Sequence, residues 1–266
     1  MKHYVQCSGC KSCYQECRLQ MDAISYSADG LLVIDLERCN RCGHCAAVCP
    51  TGEMDHPLSR LQEELRPLPA PEEALRFLRA PRSVRRFEQR LVPRELLTSL
   101  LDAGRYPQTA KNSQGVHYHV VRGRERVAQI HDLYFEIVST LSKDDPDYDI
   151  LIRPVNVQRT KGFDALLYNC PQLIFAVCNE KSTFDPRNAQ FSLTFISLMA
   201  PSLGLGTCWG GQIQRLAGRK EYMSRFSALI GLKEDQRICG CMMVGYPAVA
   251  FRRYVERDPL QVSWWE

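Results

Sequence analysis

Long hydrophobic runs are scarce in this chain, and so is any excess of one charge. The most apolar stretch, Phe191 to Gly206, is interrupted by Ser192, Thr194, Ser197, Pro201 and Ser202, so it reads as a buried helix and not as a bilayer span. With 34 basic against 30 acidic residues the net charge is only +4, which argues for neither a nucleic-acid nor a membrane-surface partner. Met1 to Gln6 leaves no room for a secretory leader before the first cysteine, so a cytoplasmic protein is expected. Low-complexity tracts are missing too. Beyond Pro81 there is no nucleophile elbow, no HExxH and no paired acid and base, so the chemistry of that region is expected to belong to a bound cofactor.

Cysteine is what the chain has in quantity. Eight of its 13 cysteines form two runs, Cys7-x2-Cys10-x2-Cys13-x3-Cys17 and Cys39-x2-Cys42-x2-Cys45-x3-Cys49-Pro50. Close spacing lets a loop wrap three thiolates around one iron cluster, while the cysteine after the three-residue gap reaches the other cluster. This assigns Cys7, Cys10, Cys13 and Cys49 to one [4Fe-4S] centre and Cys17, Cys39, Cys42 and Cys45 to a second. Zinc is the competing reading of paired CxxC motifs, but it needs four ligands per site and not two nested quartets. A disulfide scaffold is disfavoured by the cytoplasmic expectation.

Over about the first 55 residues the pattern resembles a bacterial two-cluster ferredoxin, down to Arg41-Cys42-Gly43-His44-Cys45 and Cys49-Pro50-Thr51-Gly52. It departs at Arg18, where many relatives have a proline that shields the cluster, so the potential or exposure of one centre is expected to differ.

With 266 residues and 45% hydrophobic content the chain has material for one large core plus a small appended domain that leans on its clusters. Pro57, Pro67, Pro69, Pro71 and Pro81 punctuate a charged stretch, giving the boundaries: a ferredoxin domain at 1–56, a linker at 57–71 and a second domain at 72–266. Pro71 with Glu72 and Glu73 marks a helix start. Further helices are read at Leu96 to Leu101, Val127 to Leu141, Arg187 to Leu203 and Tyr222 to Ile230. Strands are read at Val116 to Val121, Leu173 to Val177 and up to Gly245, with a glycine-rich turn after Leu203. The mixed order predicts an α+β or α/β layer structure.

Arg82-Ser83-Val84-Arg85-Arg86-Phe87 offers forked guanidinium donors and a hydroxyl, the combination a phosphate monoester needs. The plainer alternative puts Arg76, Arg79, Arg82 and Arg85, at a spacing of three, on a solvated helix. Together with Thr109-Ala110-Lys111-Asn112-Ser113-Gln114, Asn169-Cys170-Pro171-Gln172, Leu203-Gly204-Leu205-Gly206-Thr207-Cys208-Trp209-Gly210-Gly211 and Gly245-Tyr246-Pro247, that segment resembles a nitroreductase-family flavoprotein across nearly all of 72–266. The resemblance implies an α+β sandwich and an FMN whose phosphate is held by Arg82, Ser83 and Arg85 with Arg253 or Arg257. It implies Thr109, Asn112 and Gln114 at the flavin, often across a homodimer interface, and Gly210 and Gly211 as backbone near its reactive edge. Read without the family, Gly210 and Gly211 belong to a turn after a helix.

Departures bear on substrate: Gln114-Gly115-Val116-His117-Tyr118 stands where relatives have Gln-Pro-Trp-His-Phe, and Gln108-Thr109 replaces Pro-Ser. His117 and His119 read as packing or surface residues. Cys170, Cys178, Cys208, Cys239 and Cys241 read as buried small hydrophobes, with Cys208 able to approach the flavin. The combined expectation is an oxidoreductase, with an external redox donor as a candidate partner, that passes electrons from two [4Fe-4S] clusters to FMN and on to a small electron-poor acceptor such as a nitroaromatic. The alternative is a non-catalytic electron-transfer or redox-sensing module. The apolar tail Val262-Ser263-Trp264-Trp265 is expected to pack on a partner or on its own domain.

Overall fold

The computed structural model describes residues 2–5, 7–59 and 64–266; of the linker read at 57–71, residues 60–63 lie outside them. Contacts divide the chain into two units, the first comprising residues 1–68 and 108–114, the second residues 69–107 and 115–266. No helix among the described residues is long and apolar enough to cross a membrane.

The first unit runs β1 (Lys2–Val5), α1 (Ser12–Arg18), β2 (Ile24–Tyr26), β3 (Leu32–Asp35) and α2 (His44–Ala47). Its sheet is antiparallel with β3 in the centre, which is why Leu32, Val33 and Ile34 are buried in succession. Leu32, Ile34, Ile24, Val5 and Met54 close around the buried Cys13 and Cys45. The repeated cysteine spacing is matched by a repeated backbone. Gly9 (φ 79°) and Lys11 (φ 67°) flank Cys10, and Arg41 (φ 58°) and Gly43 (φ 78°) flank Cys42, all in the left-handed region. Glycine adopts it freely, whereas Lys11 and Arg41 each cost about 1–3 kcal/mol that the surroundings must offset.

The second unit begins with α3 (Pro71–Arg79), which has proline in its first turn followed by Glu72 and Glu73, both favourable at a helix N-terminus. There follow α4 (Arg94–Asp102), β4 (His117–Arg122), α5 (Arg124–Ser139), α6 (Tyr148–Lys161), β5 (Gln172–Asn179), α7 (Asp185–Met199), β6 (Gly206–Trp209), α8 (Gly211–Ala217), α9 (Lys220–Ile230) and β7 (Gln236–Gly245). The sheet is antiparallel in the order β4-β5-β7-β6. Seven successive residues of β5 are buried because helices cover both of its faces. Leu173, Phe175 and Val177 meet Val127 and Ile130 of α5, Leu151 of α6, Ile213 of α8 and Phe226 of α9. Ile174, Ala176 and Cys178 meet Leu97 and Leu100 of α4 and Leu193 and Ile196 of α7.

Several sequence readings change here. The glycine-rich turn contains strand β6, and α6, with Pro154 in its interior, adds a helix that the periodicity did not mark. Helix α3 ends at Arg79, so Arg82 and Arg85 do not continue an arginine-lined helix face. Instead Ser83 forms a parallel bridge to Thr207, the Val84 N–H donates to the Thr207 carbonyl at 2.9 Å, and Phe87 bridges Pro247. Residues 251–266 form neither strand nor helix within the chain, and Trp264 and Trp265 are exposed.

Gly206 is required where the 82–87 segment meets β6, since a Cβ there would lie 2.5 Å from Val84 Cγ2 and 2.9 Å from Val84 Cβ. Gly206→Val should therefore lower stability by about 1–3 kcal/mol in chemical denaturation, and an unchanged midpoint would show that the two segments are not in register as described. A second expectation concerns acid. Arg219 donates from Nη1 to Asp145 at 2.6 Å and from Nη2 to Asp147 at 2.7 Å, tying the start of α6 to the start of α9. Those hydrogen bonds hold both carboxyls below the usual carboxylate range. Their stabilisation is present above the unfolded-state value near pH 4 and is lost as pH falls through the lower folded values. Arg219→Gln should flatten the stability-against-pH curve below about pH 4, measured by denaturation at a series of pH values.

Candidate cofactor sites

In the first unit the eight thiols separate by which charges act on which. Cys10 feels Cys49, and Cys13 feels Cys7 and Cys10. Cys17 feels Cys39 and Cys42, and Cys45 feels Cys42, Cys17 and Cys39. Each group thus takes one cysteine from the other sequence run. Cys17, Cys39, Cys42 and Cys45 also line one cavity with Ile24 and Ile34. Among the described residues, no set of three or more His, Cys, Asp or Glu side chains is arranged to hold a single metal ion. The two groups differ in exposure: Cys7 and Cys10 are exposed, whereas none of the second four is.

The donors fit a sulfur cluster. Burial pushes the Cys45 thiol up to about 12, and a bound metal would favour its thiolate form. Backbone N–H groups point at sulfur, from Ala23 to Cys17 at 3.4 Å and from Arg41 to Cys39 at 3.3 Å. The Tyr26 hydroxyl is buried with no hydrogen-bond partner among the described residues. Cys13, Cys7 and Cys10 act on it electrostatically, and a cluster held by those thiols would supply the missing acceptor. His56 is a residue that sequence reasoning missed: it is buried, and its Nε2 lies 3.3 Å from Cys39 Sγ. A histidine 17 positions from its cysteine carries no spacing signal.

In the second unit Arg82 and Ser83 line a cavity of about 290 Å³ together with Thr207, Cys208, Trp209 and Met242. The bridge to Thr207 places Ser83 there. Arg85 follows two residues later on the same side of the extended segment, since Val84 between them is buried. Burial raises the Cys208 thiol, and the Arg85 charge and a hydrogen bond with Ser83 oppose that rise, while the Arg85 guanidinium lies over the Tyr168 ring at 5.9 Å. Two guanidinium groups and a hydroxyl beside a cavity with an aromatic wall fit a phosphate-bearing aromatic cofactor. Gly210 serves packing: its N–H donates to the Cys241 carbonyl at 2.7 Å, and a Cβ would meet Cys241 Sγ at 2.7 Å. Gly211 opens α8, where the first N–H groups have no intrahelical partner. Arg253 and Arg257 lie exposed on the tail, near Tyr254 and Glu256, which contact Arg79.

Thr109, Asn112 and Gln114 fall in the first unit. Thr109 Oγ1 accepts the Gln114 N–H at 3.2 Å, and the Gln114 side chain donates to Asn112 Oδ1 at 3.0 Å. Asn112 Nδ2 in turn donates to the carbonyls of Asn40 and Arg41 at 2.9 and 3.0 Å.

Known proteins share both parts. A family model described as a 4Fe-4S dicluster domain matches residues 6–53. A Methanothermobacter thermautotrophicus protein provisionally named as an NADH dehydrogenase/NAD(P)H nitroreductase is 27% identical over 170 residues, 62% of this chain and 73% of that one. A Bacteroides fragilis nitroreductase solved with bound FMN aligns with a TM-score of 0.56 at 22% identity, covering 72% of this chain and 98% of its own. A Desulfitobacterium hafniense nitroreductase with bound FMN gives 0.58 at 18% identity, with the same coverage of both chains. These two likenesses concern the fold. The Nitroreductase family model spans residues 78–246, well over half of the chain and all of the four-stranded sheet with its flanking arginine segment, and so the chain belongs to the nitroreductase family, with a 4Fe-4S dicluster domain ahead of that fold.

Proposed function

We propose that the chain is an iron-sulfur flavoprotein oxidoreductase that reduces an electron-poor organic acceptor, such as a nitroaromatic compound, with electrons received at its cysteine-rich unit. The observation that supports this reading is that Cys17 shares one cavity with Cys39, Cys42 and Cys45 in a nitroreductase-family chain that also matches a 4Fe-4S dicluster domain. When bound, two [4Fe-4S] centres supply one-electron carriage and FMN supplies two-electron chemistry.

Cys7, Cys10, Cys13 and Cys49 bind one cluster, and the exposure of Cys7 and Cys10 suits them to an external redox donor. Cys17, Cys39, Cys42 and Cys45 bind the other, in a lining whose apolar residues Ile24 and Ile34 limit water. Arg82, Ser83 and Arg85 neutralise and orient the FMN phosphate, and the tail arginines Arg253 and Arg257 are further cations for it. The FMN held by the solved relatives, together with the cavity beside Arg82 and Ser83, supports the same cofactor here. Exposed Phe191, Phe195 and Trp209 and the apolar tail support a homodimer that covers them.

Protein purified without oxygen should contain eight irons, eight sulfides and one FMN per chain, and zinc in place of iron would end this reading. Replacing Cys49 by Ser should disturb the same spectroscopic signal as replacing Cys13, whereas Cys17→Ser should act with Cys45→Ser. A Cys49 phenotype matching Cys45 would mean that each run folds around its own cluster. Cys42→Ser with Cys45→Ser should abolish rapid flavin reduction by dithionite, which unaltered reduction would contradict. At the other cofactor, Arg82→Ala with Arg85→Ala should weaken FMN retention on gel filtration by about 100-fold or more, since each charged hydrogen-bonding contact contributes about 1.5–3 kcal/mol. Full retention would move the phosphate site elsewhere.

A further inference from the structure

Around Cys39 the first unit assembles donors that its ligand role does not itself require. The Arg41 N–H points at Cys39 Sγ from 3.3 Å, and His56 Nε2 lies 3.3 Å from the same sulfur. His56 Nδ1 accepts the Leu58 N–H at 3.0 Å, so in the neutral ring the proton sits on Nε2 and is donated to the thiolate. At 1% exposure the imidazole has little freedom to turn away.

The second donor is held from the far side. The peptide whose N–H faces Cys39 is the one between Asn40 and Arg41, and its carbonyl accepts Asn112 Nδ2 at 2.9 Å. The next carbonyl, that of Arg41, accepts the same amide at 3.0 Å and Ser59 Oγ at 2.8 Å. Gln114 fixes the amide's orientation by donating to its oxygen. One side chain therefore anchors two successive peptide planes between Cys39 and Cys42 and polarises the N–H that reaches sulfur. The conformation is costly. Arg41, Lys111, Asn112 and Gln114 all have φ between 46° and 58°, and strained non-glycine residues of this kind concentrate where geometry serves a function.

We infer that His56 and Asn112 are positioning residues that hold Cys39 between two N–H donors and thereby raise the reduction potential of the cluster bound by Cys17, Cys39, Cys42 and Cys45. The inference rests on the iron-sulfur reading above. Donors aimed at a ligand sulfur favour the reduced cluster, which carries one more negative charge, over the oxidised one. It also gives Asn112 a task other than flavin contact.

The test is a reductive titration of the anaerobic full-length protein, followed by electron paramagnetic resonance, with iron and sulfide measured on each sample. His56→Leu and Asn112→Asp should each lower one of the two midpoint potentials and leave the other in place. His56→Gln, which keeps an amide donor near the position of Nε2, should restore most of the shift. Unchanged potentials in proteins with full iron content would overturn the inference while leaving the iron-sulfur reading intact, and equal shifts in both potentials would overturn it too, as general loosening. Where His56→Leu fails to hold iron, Asn112→Asp, with almost the same side-chain volume, gives the decisive comparison. A wild-type protein without iron would instead refute the reading on which the inference is built.

Discussion

Three thiols at successive three-residue steps can wrap around a common centre when the backbone between them turns sharply, and the first unit depends on such turns. Left-handed residues at 9 and 11, and again at 41 and 43, bend each cysteine run around its own thiols. Only two of the four are glycines, so Lys11 and Arg41 hold strained conformations for which the small core of Leu32, Ile34, Ile24 and Met54 is a modest counterweight. Cluster binding offers a larger one, because its free energy is expressed only in the folded chain. The strands serve this geometry: β3, paired on both sides, carries the apolar residues against which Cys13 and Cys45 are buried.

The second unit rests on a different arrangement. Its central strand β5 is covered on both faces, and the sheet it organises ends at β6, whose neighbour is the short extended segment from Arg82 to Phe87. Because Val84 must be buried against Gly206, the residues on either side of it face away from the core. Packing of one valine against one glycine thus helps place Ser83 beside Cys208 and the cavity wall at Trp209. Family membership agrees with this architecture, and the chemistry proposed for it follows from charge and shape at that edge.

Much of this was legible in the order of residues, for identifiable reasons. Cysteine spacing is a local constraint, so it foretold a 4Fe-4S domain at the start of the chain, which the dicluster family model matches over residues 6–53. Hydrophobic period foretold β5, α5 and α9 because those elements bury a face along their whole length. It failed at α6, where Pro154 sits within a helix, and at β6, whose glycines read as a turn.

The sequence by itself determined the kinship of the two parts, a 4Fe-4S dicluster domain and a nitroreductase-family domain, since the motifs that carry it depend on spacing along the chain. Tertiary structure alone decided where particular hydrogen bonds go. Asn112 belongs by motif to the flavin segment, yet its amide reaches across 72 and 71 residues of sequence to the carbonyls of Asn40 and Arg41. Gly210 carries the backbone of a flavin motif, yet its N–H is committed to Cys241. His56, with no motif at all, lies against Cys39. A side chain's chemical type is written in the sequence, but its partner is whichever polar group the fold leaves within 3 Å or so, and burial makes that choice binding.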